Sequence, residues 1–179
     1  MNPWNVANGV LFQTAWFACV LGGAAGTSLW GALVLALMLG QTLGGDAWRR
    51  DLSLALVTAT VGFALDTLWI HLGVLDYGSA VAPVWIVMLW VAVGLSVHRC
   101  LSFFKSRPWL GGAFAGLGAP FSFLAGERFG AVVIDQPLEL AAVSLTWLLL
   151  FAALFNFAGE GGKPRSGSDA SRSDYERAH

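Results

Sequence analysis

Residues 52–72 read LSLALVTATVGFALDTLWIHL, a run with one carboxylate, Asp66, and no Lys or Arg. As a helix it rises about 31 Å at 1.5 Å per residue, the thickness of a bilayer's hydrocarbon core. Comparable runs flank it on both sides: Val6–Gly22, Ser28–Gly44, Val84–Phe104, Trp109–Gly126 and Leu138–Ala158. Of the six, only 84–104 contains a basic residue, Arg99. The 179 residues are 56% hydrophobic and 12% charged, with nine Trp and a mean hydropathy of +0.66. A soluble domain would need about twice that charge to cover its surface. The chain therefore reads as an all-α polytopic integral membrane protein, a six-helix transmembrane bundle over 1–158.

The connections carry the orientation. With six spans, Arg49, Arg50, Arg99, Lys105, Arg107, Lys163, Arg165, Arg172 and Arg177 fall on one side and Arg128 alone on the other. Because Lys and Arg collect on the cytoplasmic side, both termini are expected there. Trp4, Trp48 and Trp109 fall near the inner interface, and Trp30, Trp69 and Trp85 near the outer one, as amphipathic rings do at headgroup level. Gly22-Gly23-Ala24-Ala25-Gly26 predicts a tight hairpin between the first two spans. Pro83, Pro108 and Pro137 each stand just before a span, where a helix start tolerates the missing N–H. No basic residue precedes Arg49, so the first span is expected to be retained rather than cleaved. Residues 159–179 turn to Gly, Ser, Asp, Lys and Arg and are expected to form a disordered cytoplasmic tail.

Composition excludes several function classes. A net charge of −1 gives no footprint for nucleic acid. Cys19 and Cys100 fall near opposite membrane faces, beyond the roughly 7 Å that a disulfide allows between Cα atoms. No Cys/His spacing suits a metal, and no cofactor motif is present. Membrane lipids, and protein partners within the membrane, are the expected contacts.

Ionisable and amide groups at membrane depth are costly and mark candidate sites. Asp66 lies about two turns inside the outer end of its span, on a face of small residues that includes Ala55, Ala59 and Gly62. Its expected partner is Arg128, with Glu127 beside it; the pair reads either as a polar outer pocket or as a salt bridge locking span three to span five. Span five carries Gly112/Gly116, Gly111/Ala115/Ala119 and Gly118/Ser122/Gly126, small residues at four-residue spacing, and Pro120, which predicts a kink. Such a helix either lines a cavity or packs tightly. His98 closes span four beside Arg99 and is a proton-carrier candidate with no carboxylate expected within a span on its side. Asn8 and Gln13 in span one are expected to hydrogen-bond between helices. His71 and Asp76 have acyltransferase-like spacing, which is read as coincidence because no Arg-bearing second block follows.

Asn8…Phe12-Gln13-x-x-Trp16-Phe17, Leu65-Asp66-Thr67-Leu68 with Gly73-Val74-Leu75, Ala82-Pro83-x-Trp85-Ile86, and Gly118-Ala119-Pro120 with Ala125-Gly126-x-Arg128-x-Gly130-Ala131-Val132 resemble, in this order, a bacterial inner-membrane family, domain of unknown function 2878. The resemblance covers about residues 5–155. Val97-His98 stands where the family has Asn-His, and Phe123 where it has Tyr, which weakens any chemistry at those positions. The resemblance implies the architecture above and no established activity.

Three functions stay open from the residues. One is a non-catalytic inner-membrane component of lipid or envelope processes. Another is a small enzyme acting on acyl lipids around Asp66, Glu127 and Arg128. The third is a small-solute or proton pathway. A cavity lined by both Asp66 and Arg128 would favour the enzyme.

Overall fold

A computed structural model describes residues 2–134 and 137–160. Six α-helices run in chain order: α1 (Pro3–Ala24), α2 (Leu29–Leu43), α3 (Trp48–His71), α4 (Val84–Ser96), α5 (Pro108–Arg128) and α6 (Leu140–Glu160). The expected tail, 159–179, lies outside the described residues except for Gly159 and Glu160, which extend α6.

Four helices, α1, α3, α5 and α6, are 21–24 residues long and apolar enough to cross a membrane. The other two expected spans are shorter, with α2 at 15 residues and α4 at 13. At 1.5 Å per residue α4 rises only about 20 Å, less than the hydrocarbon core. The expected span over 84–104 is therefore corrected: its helix stops at Ser96, whose carbonyl accepts from Arg99 and Leu101 N–H, and a 3-10 turn follows over Ser102–Ser106. Outward-facing side chains stay apolar. Leu29, Leu33 and Leu37 on α2 are each 61% exposed, a stripe that water would not tolerate and lipid does. This is a membrane protein.

Local chemistry sets the helix ends. Asn2 caps α1 by accepting from Trp4 N–H at 3.0 Å, with Pro3 in the first turn. The glycine hairpin closes as expected, with Gly26 at φ 69° and Thr27 N–H donating to the Gly22 carbonyl at 2.8 Å. α3 and α5 end alike. Gly73 (φ 70°) lets Val74 N–H reach the Trp69 carbonyl, and Gly130 (φ 81°) lets Ala131 N–H reach that of Gly126. Each turn leads into a two-residue strand, β1 (Leu75–Asp76) and β2 (Val133–Ile134), paired antiparallel with Leu75 opposite Ile134. This clasp was not expected from an all-α pattern.

Packing is strongest within three hairpins, α1 with α2, α3 with α4, and α5 with α6. Glycines allow it: a Cβ on Gly94 would strike Ala55 and Thr58 of α3, and one on Gly112 would strike the Leu148 carbonyl of α6. α5 runs unbroken through Pro120. Of the expected aromatic belt, Trp4, Trp30, Trp48 and Trp109 are exposed, but Trp69 and Trp85 are only 8% exposed and belong to the core. Both cysteines are free.

Candidate functional site

The α5–α6 hairpin does not close fully against α1 and α4. Between them lies a cavity of about 450 Å³, within the roughly 300–1,000 Å³ usual for ligand sites. One face of α5, with Gly111, Ala115, Gly118, Ser122 and Ala125, lines it with small side chains. A Cβ on Gly118 would meet nothing within 4 Å, whereas the neighbouring face, Gly112 and Gly116, is filled by α6. The two readings of this helix both hold, on different faces. Exposed Gln13 on α1 and exposed Phe114, Gly118 and Phe121 on α5 form the rim, so the cavity opens between those helices.

Asp66 lines this apolar space and is 3% exposed. Trp90 Nε1 donates to its Oδ2 at 2.7 Å, and the Tyr77 hydroxyl to its Oδ1 at 3.2 Å. Gly62, one turn before Asp66, makes this geometry available, because the Trp90 indole lies where a Cβ on Gly62 would be. Thr58 Oγ1 donates to the Trp90 carbonyl at 2.9 Å and fixes the same crossing. The Trp90 ring then meets Trp147 of α6, 5.2 Å between centroids. Burial, followed by the charge and hydrogen bond of Asp66, pushes the Tyr77 phenol well above its ordinary range, so Tyr77 stays protonated and donating. Across the cavity, Trp16 Nε1 of α1 donates to Ser122 Oγ of α5 at 2.9 Å.

The expected Asp66–Arg128 pair is not formed. Asp66 takes its donors from α4 and the α3–α4 connection. Arg128 stands exposed in the last turn of α5, and the ion pairs among the described residues all belong to Asp51. Glu127 is also exposed, and its Oε1 accepts from Ile134 N–H at 3.1 Å, tying β2 to α5. Neither Glu127 nor Arg128 lines the cavity; Gln13 does. His71 and Asp76 turn to local partners, the Thr67 carbonyl and Gly78 N–H.

Asn8 is fully buried at the other end of the molecule, where its Nδ2 donates to Gln41 Oε1 at 3.1 Å and its Oδ1 accepts from Cys100 N–H at 3.4 Å. His98 finds a carboxylate after all. Asp51, one residue ahead of the expected third span, has Oδ1 3.1 Å from His98 Nδ1 and Oδ2 3.4 Å from Arg99 Nη2. The His98 approach is close but not aligned as a hydrogen bond, between side chains 6% and 4% exposed. A second, polar cavity of about 430 Å³ opens there, walled by Asn5, Gln41, Arg50, Asp51, His98 and Arg99. Asp51 and Gln41 were missed in sequence; Gly45, where an added Cβ would lie 3.0 Å from Arg99 Nη2, shows how closely the α2–α3 connection approaches that side chain. Among the described residues, no three His, Cys, Asp or Glu side chains gather as a metal ion requires.

No curated protein and no solved structure matches the chain. The family described as protein of unknown function (DUF2878) matches residues 5–153, most of the chain and nearly all of the helical bundle. With Asp66 and the glycine-rich α5 inside that match, the chain belongs to this family.

Proposed function

We propose that this protein is a multi-pass component of a bacterial inner membrane, with both termini cytoplasmic, that holds one apolar chain of an envelope lipid without transforming it. The observation that carries the reading is the cavity: about 450 Å³, walled almost wholly by apolar side chains, and open between α1 and α5. It follows α5 from Gly111 to Gly126, about 22 Å at 1.5 Å per residue, a length suited to an extended hydrocarbon chain. The nine-to-one partition of Lys and Arg supports the orientation. The alternative of an acyl-lipid enzyme needs a second group beside Asp66, and neither Glu127 nor Arg128 reaches the cavity. A pathway across the membrane needs polar steps between Asp66 and Asp51, fifteen residues or about 22 Å apart along α3.

Lipid analysis of the purified protein tests the reading. Wild type is expected to retain a lipid chain in about one-to-one ratio after mild detergent extraction, and Gly118→Leu, which fills the open space, is expected to lose it. Gly40→Leu, where an added Cβ also meets nothing within 4 Å but on α2, serves as control. Identical lipid content in wild type and Gly118→Leu would defeat the proposal.

A further inference from the structure

We infer that the occupant of the large cavity is a single-chain amphiphile whose polar end is a protonated amine, received by Asp66. This rests on the chain-holding reading above and names the ligand of that site. Asp66 is 3% exposed and reaches the cavity, yet its two partners among the described residues, Trp90 and Tyr77, are neutral donors. A carboxylate offers about four acceptor positions, so about two remain unused. Among the described residues no Lys, Arg or His lines the cavity, so none of them balances the carboxylate's charge.

Among the described residues that line the cavity, Asp66 is the only one that carries a charge, and it sits toward one end. Asp66 and Tyr77 lie toward the end near Trp85 and Val132, while Leu101, Phe104 and Phe155 close the other end with hydrocarbon and aromatic surface. An amphiphile therefore has one orientation: its polar end beside Asp66, its chain along α5 toward Phe104. Three polar ends are chemically distinct at that point. A carboxylate would set two like charges together in a low dielectric. A hydroxyl would fill an acceptor position but leave the buried charge unbalanced. An ammonium fills the position and balances the charge, in a charge-assisted hydrogen bond.

Competition binding in neutral maltoside micelles, with the full-length protein and tritiated hexadecylamine as tracer, tests this against hexadecanol and palmitate. In wild type, hexadecylamine is expected to bind about ten- to a hundredfold more tightly than hexadecanol, the size of a hydrogen bond to a charged group, and palmitate most weakly. Asp66→Asn is expected to bring the amine down to the level of the alcohol, while Gly118→Leu weakens both alike. Equal binding of amine and alcohol by wild type would overturn the inference and leave the chain-holding reading standing. Saturable binding of none of the three would sink that reading itself. The wild-type ranking decides the matter even if Asp66→Asn does not fold.

Discussion

Trp90→Phe isolates the bond that holds Asp66. The substitution keeps an aromatic ring over Gly62 and beside Trp147 but removes the Nε1–H that donates to Asp66 Oδ2 at 2.7 Å. A hydrogen bond to a charged group contributes about 1.5–3 kcal/mol, and its loss leaves the buried carboxylate with Tyr77 as its described donor. The smaller ring adds about 1 kcal/mol for the space it leaves. A total of about 2.5–4 kcal/mol lowers the melting temperature by about 5–16 °C for a chain of this size. Thermal unfolding in detergent, followed by circular dichroism, reads it directly. Arg128→Gln is the internal control: exposed and outside the cavity, it should stay within about 0.5 kcal/mol of wild type. In an Asp66→Asn background, where the bond is no longer charge-assisted, Trp90→Phe should cost less. A shift under about 2 °C, or an equal shift in both backgrounds, would refute the reasoning.

Gly112→Val should cripple the α5–α6 contact, because its Cβ would meet the Leu148 carbonyl and the Ala152 side chain; membrane abundance should fall well below that of Gly118→Val, which meets open space. Asp51→Asn should destabilise by about 3–5 kcal/mol, leaving Arg99 uncompensated in a site where its side chain is 14% exposed; unchanged detergent melting would show the cluster to be structurally idle. Reporter fusions at Gly45, Ser79, Ser106 and Glu160 should read inside, outside, inside, inside. An inside signal at Ser79 would mean that α3 does not cross.

Apolar helices were legible in sequence because a bilayer forces each spanning segment to satisfy its own backbone as a helix and to face hydrocarbon with about 20 mostly apolar residues. The end of α4 was not. Its hydropathy continues through Phe104, but the chain leaves the helix where His98 and Arg99 turn to Asp51, a residue 47 positions earlier and just outside the apolar run. The clasp was illegible for a similar reason: two-residue strands have no period, and β1 and β2 pair across more than fifty residues. Asp66 stood out as a lone carboxylate in a span, and the structure places it at the cavity. Its partners did not stand out. A search by charge leads to Arg128, while Trp90 and Tyr77 look, in sequence, like any other aromatic residues of a membrane protein. Small residues on α5 declared close packing but not which face would be filled, since Gly112 and Gly118 differ only in what stands opposite.

The way the hairpins meet has a consequence for assembly. α1–α2, α3–α4 and α5–α6 are each neighbours in sequence, so each can form as soon as its own residues are in the membrane. The large cavity belongs to none of them. It exists only once the last hairpin has docked through the clasp and the Trp16–Ser122 bond. Whatever fills it therefore binds the docked bundle and not its separated parts. By mass action, an occupant at a hundred times its dissociation constant adds about 2.7 kcal/mol to docking. Under the chain-holding proposal, supply of that molecule is expected to raise the share of newly made chain that docks.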